Sequence, residues 1–192
     1  MADFNTAFKI TIFGNEGGYN PGIGEKETYM GIDRGANPGW DGWNIIDAIK
    51  KNNPGLSTGK MNLILSQNLG LQSNIEKFYK ANYWDTVGLD NVKDQQLANN
   101  LFDCSVNQGE GLACKLMQVA CNYVIAAYKI AIKPLTIDRQ VGRVTIAVFN
   151  GLPAAQLNAE INAEREASYR SDSEYAEWGK VWEKRLKQYH NL

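Results

Sequence analysis

Apolar residues recur at helical spacing along most of the chain, which predicts a mainly α protein. Phe4, Phe8 and Ile12 stand four residues apart, so the chain is expected to open with a helix that buries one stripe. Asp3 is the expected N-cap of this helix. The pair Gly17–Gly18 is expected to end it, because glycine readily adopts the left-handed conformation of a helix C-cap.

The segment after this helix has a different composition. Residues 19–43 are rich in Gly, Pro and Asn, which predicts a surface loop with a short hairpin around Thr28–Ile32. Residues 112–131 are apolar on nearly every side, which is typical of a buried central helix. The other predicted helices lie within 44–51, 56–71 (interrupted by Gly59 and Gly70), 75–84, 94–108, 145–150, 153–169 and 173–189.

Glu16 is the first candidate for chemistry, because it falls in the last turn of the opening helix, beside the glycine pair. The negative end of the helix dipole disfavours an ionised carboxylate there. A carboxylic acid that keeps its proton can protonate a leaving oxygen, as a glycosidase requires. The alternative is a glutamate that points into solvent at a helix end.

Four motifs carry a resemblance to a known family. Glu16–Tyr19 and Thr28–Ile32 resemble the E-G-G-Y and T-x-Y-G-I segments of glycoside hydrolase family 108, a family of peptidoglycan-cleaving muramidases. Leu101–Gly109 resembles its F-D-x-x-V-N-x-G segment. Leu135–Thr145 resembles the L-x-x-D-G-x-x-G-x-x-T segment of its peptidoglycan-binding region. The order of these motifs along the chain is that of the family.

The resemblance implies a lysozyme-like helical fold with a small β-hairpin or loop after the first helix. It implies a catalytic region over 1–95 and a peptidoglycan-binding region over 96–192, packed into one body. The substrate would be the peptidoglycan glycan strand, and neither a metal nor a cofactor is expected. Arg139 replaces the motif's glycine, so that turn has either a negative φ or a strained arginine.

Glycoside cleavage needs a second group besides the acid. Glu25 is the first choice, since it lies nine residues after Glu16 and three before Thr28, and Glu27 and Asp33 are alternatives. Thr28 is a candidate for holding the attacking water. A loop carboxylate across a cleft favours the wide separation of an inverting enzyme, about 6.5–9.5 Å. The alternatives are a solvated loop charge for Glu25 and a turn-capping role for Thr28.

Aromatic and polar side chains in or near the motifs are candidates for sugar contacts, because a tryptophan face suits a sugar ring. Core packing is the alternative for each tryptophan. Asp103 is more simply a structural acid than a catalytic base. The predicted substrate-binding residues are Tyr19, Tyr29, Trp40, Trp43, Asp103 and Asn107.

The net charge of −1 gives no electrostatic footprint for nucleic acid or an anionic membrane. The three cysteines lack metal-ligand spacing and are expected to be buried thiols of a protein made in a reducing cytoplasm. The single histidine, His190, argues against a histidine-based triad or metal site.

The first residues lack a basic segment followed by an apolar one, so no signal peptide is expected. The longest apolar run is shorter than the ~20 residues that a membrane span needs. The protein is therefore expected to be made in the cytoplasm and to reach the cell wall or periplasm with an export partner such as a holin or a secretion system.

The helix end marks Glu16 as a candidate acid, and the family resemblance implies a lysozyme-type N-acetylmuramidase that uses it as the general acid. Two alternatives stay open. One is a non-catalytic peptidoglycan-binding or secretion-associated protein with the same fold, since some relatives carry a secretion-activator label. The other is a chitinase-type enzyme, because chitin presents similar N-acetylated sugars.

Overall fold

The computed structural model describes residues 1–22 and 26–190. These form two compact units, described separately below. The hairpin unit is Phe8–Ala81, and the helical unit comprises Met1–Ala7 and Asn82–Leu192. The functional division at residue 95 stays a prediction.

The first helix begins as expected. Helix α1 spans Phe4–Phe8 and continues as a π-helical turn over Lys9–Phe13. Asp3 caps the start, since its carboxylate accepts the Thr6 backbone N–H at 2.8 Å. The three apolar positions that predicted the helix are all buried: Phe4, Phe8 and Ile12.

The hairpin unit contains the small sheet. Strand β1 (Thr28–Tyr29) pairs antiparallel with β2 (Ile32–Asp33), so that Thr28 lies opposite Asp33 and Tyr29 opposite Ile32. Three helices follow: α2 (Gly42–Asn52), α3 (Thr58–Gln67) and α4 (Leu69–Tyr79), and a π-helical turn over Lys80–Trp84 follows α4.

The predicted interruptions at Gly59 and Gly70 are wrong, because both glycines lie inside helices. The chain breaks at Asn68, which ends α3 with an extended backbone and caps α4 by accepting the Leu71 backbone N–H at 2.9 Å. An asparagine side chain that substitutes for a missing backbone partner therefore sets this boundary.

The helical unit consists mainly of helices. They are α5 (Gln95–Gln108), α6 (Glu110–Ala127), α7 (Arg143–Phe149), α8 (Ala154–Arg170) and α9 (Tyr175–Leu186), with short 3₁₀ turns at Leu89–Asn91 and Lys187–Tyr189. Helix α6 packs against α5, α7 and α8, which confirms its expected central position.

All three cysteines are buried and free. Burial raises the pKa of Cys104 to about 11 and that of Cys121 to about 12, and it raises the pKa of Cys114 as well. These thiols therefore stay protonated near neutral pH and act as small apolar side chains.

These elements confirm a mainly α, lysozyme-like fold with a small β-hairpin after the first helix. Within the described ranges, no helix combines the length and the apolar character that crossing a bilayer requires.

Candidate functional site

Glu16 lies where the first helix ends. Its backbone N–H donates to the Ile12 carbonyl at 2.9 Å, which closes the last helical turn. The Glu16 side chain is half-buried. The carboxyl group is therefore held at the carbonyl end of a helix and keeps some access to solvent.

The glycines after Glu16 act differently from the prediction. Neither Gly17 nor Gly18 has a positive φ, so the expected left-handed cap is wrong. A side chain at Gly18 would instead overlap Asn62 of α3. The Asn62 oxygen accepts the Tyr19 backbone N–H at 2.5 Å, and its amide nitrogen donates to the Tyr19 carbonyl at 3.5 Å. Gly18 thus leaves room for Asn62 to fix the segment that follows Glu16.

The hairpin turn brings the first two motifs together. Met30 and Gly31, the turn residues, have φ values of 48° and 78°. A Cβ atom at Gly31 would lie 2.6 Å from Glu16 Oε2 and 2.8 Å from the Tyr79 hydroxyl oxygen. The candidate acid therefore sits against the backbone of the turn, at the glycine of the second motif.

Thr28 and Asp33 share one face of the hairpin, because they are opposite each other in the register. Both are half-buried, whereas Tyr29 and Ile32 on the other face are 2% and 1% exposed. One Asp33 carboxylate oxygen accepts the Ala36 backbone N–H at 2.8 Å. Asp33 and Thr28 are thus polar groups on the more accessible face.

Of the other candidate acids, Glu25 lies outside the described residues. Glu27 is 4% exposed and accepts hydrogen bonds from the Tyr19 hydroxyl at 2.6 Å and from Lys50 at 2.8 Å. Arg34 pairs with Glu27 at 3.0 Å and with Asp47 at 2.7 Å. Glu27 is therefore occupied by structural contacts.

Two of the aromatic candidates in the hairpin unit, Tyr19 and Tyr29, have pKa values that burial raises. Burial, followed by the hydrogen bond to Glu27, raises the pKa of Tyr19 well above its usual range. Tyr29 is buried, and its hydroxyl accepts a hydrogen bond from Gln72 at 3.3 Å. Burial raises the pKa of Tyr29 too. Sugar contact by either tyrosine stays a prediction.

The two tryptophans pack edge to face, with their rings 5.0 Å apart. Trp43 is buried, donates to the Asn37 carbonyl at 2.8 Å and lies under the Arg34 guanidinium at 4.6 Å. Trp40 is half-buried. Of this pair, Trp40 offers more surface to a sugar, and its predicted role is retained.

A concave region of about 250 Å³ adjoins the segment that follows Glu16. Glu16 itself does not line it. The lining residues are Tyr19, Pro21, Lys50, Asn53, Gly55, Leu56, Thr58 and Met61.

The two polar candidates of the third motif lie on α5 in the helical unit. Asp103 is fully buried between Arg165 at 2.6 Å and Arg185 at 2.8 Å, contacts typical of a structural acid. Asn107 is half-buried, and its side-chain oxygen accepts the Tyr169 hydroxyl at 2.6 Å. Substrate contact by these residues stays a prediction.

Residues 135–142 of the fourth motif form a loop that is hydrogen-bonded to α6, and the last three residues of the motif begin α7. Arg139 has a φ of 63°, so the arginine does take the left-handed conformation of the glycine it replaces. Its backbone N–H donates to Gln118 at 3.0 Å, and Gln118 donates to Asp138 at 2.7 Å.

Among the residues that the structure describes, no group of His, Cys, Asp and Glu side chains could hold a metal ion.

Sequence reasoning missed two residues around Glu16. In the sequence Tyr79 is only one residue of the helix predicted within 75–84, and no motif includes Asn62. Both lie more than forty residues from Glu16 along the chain, outside its motif.

The comparison with protein families agrees with the first three motifs, which lie within the matched range. The model of the family described as Glycosyl hydrolase 108 matches residues 10–109. The chain is also similar to the structure of SagA from Brucella abortus, with a TM-score of 0.60 and 19% sequence identity, over 98% of this chain and 93% of that chain. At this identity the likeness shows the fold alone. A search of curated proteins gives no match.

Proposed function

The chain belongs to the glycosyl hydrolase 108 family, and from this premise we propose that it is a lysozyme-type N-acetylmuramidase that cleaves the glycan strand of peptidoglycan. One observation carries the proposal. The half-buried Glu16 carboxyl, at the end of the first helix, lies against the backbone of the hairpin turn. An acid fixed by two elements is suited to protonate a glycosidic oxygen.

In the proposed reaction, Glu16 donates its proton to the oxygen between N-acetylmuramic acid and N-acetylglucosamine. The bond between that oxygen and the anomeric carbon breaks through an oxocarbenium-like transition state, and water adds to the carbon. The leaving sugar takes the proton from Glu16. The water loses a proton to a second carboxylate, which acts as the general base.

Two carboxylates are candidates for the base. Glu25 is retained from the sequence prediction. Asp33 has the support of the fold, because it lies beside Thr28 on the accessible face of the hairpin. Thr28 is proposed to hold the attacking water. A base on a loop or strand across from a helix end suits the wide carboxylate separation of an inverting enzyme.

The remaining assignments are also proposals. Residues 1–95 would carry catalysis and 96–192 would contribute wall binding. The protein would act on the wall or periplasm and would reach it through an export partner such as a holin or a secretion system.

Turbidity loss of purified cell walls tests the proposal. Wild type should clear the suspension, Glu16→Gln should not, and Glu76→Gln, which changes an exposed glutamate of α4, should behave as wild type. Glu25→Gln and Asp33→Asn then identify the base, since only loss of the base should lower the rate about 10²-fold or more. Walls that are bound but cut by neither wild type nor Glu16→Gln would favour the non-catalytic binding protein.

A further inference from the structure

The hairpin turn has an unfavourable sequence for its conformation. Met30 and Gly31 both have positive φ values, 48° and 78°, as in a type I′ turn. Such turns favour Asn-Gly, whereas a methionine with its Cβ is disfavoured in the left-handed region. A contact from outside the turn would offset this cost and help to hold Met30 in place.

Tyr79 supplies this contact. Its hydroxyl donates to the Met30 carbonyl at 2.7 Å. Tyr79 is the last residue of α4, is 2% exposed, and packs its ring against Phe8 at 6.0 Å and Phe78 at 5.4 Å. Because the Tyr79 side chain is buried and packed in this way, its hydroxyl provides a fixed hydrogen-bond donor for the turn.

The hairpin turn that Tyr79 holds also limits where the Glu16 carboxyl can lie. The position of a Cβ at Gly31 is 2.6 Å from Glu16 Oε2 and 2.8 Å from the Tyr79 hydroxyl oxygen. The Glu16 carboxyl thus rests on the Gly31 backbone without room for another atom. A shift of the turn would open or close this space and move the carboxyl.

We propose that Tyr79 is a positioning residue for Glu16, which acts through the left-handed Met30–Gly31 turn. This inference rests on the proposed function of Glu16 as the general acid. Catalysis depends steeply on the placement of the acid, because a misplacement of about 1 Å can lower the rate about 10²-fold. Substrate binding depends much less on this one contact.

Kinetics on soluble peptidoglycan fragments test the proposal through a rescue. Tyr79→Phe should lower kcat about 10- to 100-fold with little change in KM. Adding Met30→Asn should restore most of the rate, because asparagine favours the first position of a type I′ turn without help from Tyr79. Tyr175→Phe, which removes another tyrosine hydroxyl contact in the helical unit, should keep the wild-type rate.

Two results would overturn the proposal. One is full activity of Tyr79→Phe. The other is a loss of activity that Met30→Asn does not restore, which would mean that the hydroxyl acts otherwise than through the turn. If Tyr79→Phe alone does not fold, the double variant decides: restored folding and cleavage support the proposal, and failure of either contradicts it.

NMR of protein with isotope-labelled methionine methyl groups and glycine amides separates this proposal from the proposed function. If wild type cuts no substrate, the proposed function fails, but the turn can still be judged. A shift of the Met30 methyl and Gly31 amide signals in Tyr79→Phe, with Met61 and Met117 unchanged, supports the proposal that Tyr79 holds the turn. Unchanged Met30 and Gly31 signals overturn it.

Discussion

Gly31 and Gly55 share a φ of +78° but differ in their surroundings. An added Cβ at Gly31 would meet the Glu16 carboxyl and the Tyr79 hydroxyl, whereas one at Gly55 would meet nothing within 4 Å. Glycine is therefore required at these two positions for different reasons. Gly55 is needed for its backbone alone, and Gly31 is needed for its backbone and for the space beside the candidate acid.

Alanine at the two positions should therefore have different effects. Gly55→Ala should cost about 1–2 kcal/mol of stability, the cost of a left-handed non-glycine residue, and should leave cleavage intact. Gly31→Ala should cost more and should abolish wall cleavage, because the added methyl displaces Glu16. Thermal unfolding and turbidity assays measure both, and equal behaviour of the two variants would contradict the close approach of Glu16.

For single residues, the sequence predicts the place of Glu16 better than it predicts the contacts around it. Its place at the end of the first helix follows from the apolar spacing and the motif. The reason for Gly18 does not, because it depends on Asn62, which reaches this segment only once α3 has packed. The burial of Glu27 could not be predicted either, since one of its partners, Lys50, is 23 residues away and contacts it from α2.

At the level of the helices, some residue types predict a helix boundary better than others. Asp3 and Asp94 were placed correctly at helix starts, and their side chains accept backbone N–H groups there. Glycine was a poorer guide, since Gly59 and Gly70 lie within helices and Asn68 makes the break. The π-helical turns carry no pattern that periodicity of the α type would reveal.

The loop of the fourth motif depends on one titratable side chain. Hydrogen bonds from the Gln118 side chain, then from the Gln140 backbone, lower the pKa of Asp138 below its usual value. A carboxyl with a lower pKa in the folded state stabilises the fold above its ordinary pKa, and this contribution is lost as pH falls through the folded-state value.

Asp138→Asn should therefore flatten the acid side of the stability profile. Denaturant unfolding is measured from pH 7 down to about pH 2. Below about pH 4 the free energy of unfolding should fall more steeply with pH for wild type than for the variant. Asp172→Asn is the control, because Asp172 is an exposed aspartate of the same unit whose side chain accepts a backbone N–H, that of Glu174, at 2.8 Å. Parallel profiles for wild type and Asp138→Asn would contradict the role of Asp138.

At the scale of the whole molecule, the helical unit is held by a buried polar network. Arg165 is fully buried and donates to Asn100, Asp103 and Gln108, which ties α8 to α5. Arg185 of α9 donates to the same Asp103 at 2.8 Å. The carboxylate of Asp103 thus compensates the charge of buried arginines from two helices.

Removal of the Asp103 carboxylate should strongly lower the free energy of unfolding. Asp103→Ala leaves buried positive charge without its counter-ion, which typically costs about 3–5 kcal/mol. Glu166→Ala, which breaks an exposed pair with Arg170, should cost about 1 kcal/mol or less. Denaturant unfolding compares the two, and similar losses would show that Asp103 does not hold the helical unit together.

Mass analysis of the fragments released from purified peptidoglycan tests whether Glu16 donates the proton that breaks the glycan strand. Wild type should release fragments with N-acetylmuramic acid at the new reducing end, and Glu16→Gln should release none above background. Equal release by both, or reducing ends of N-acetylglucosamine only, would contradict the account.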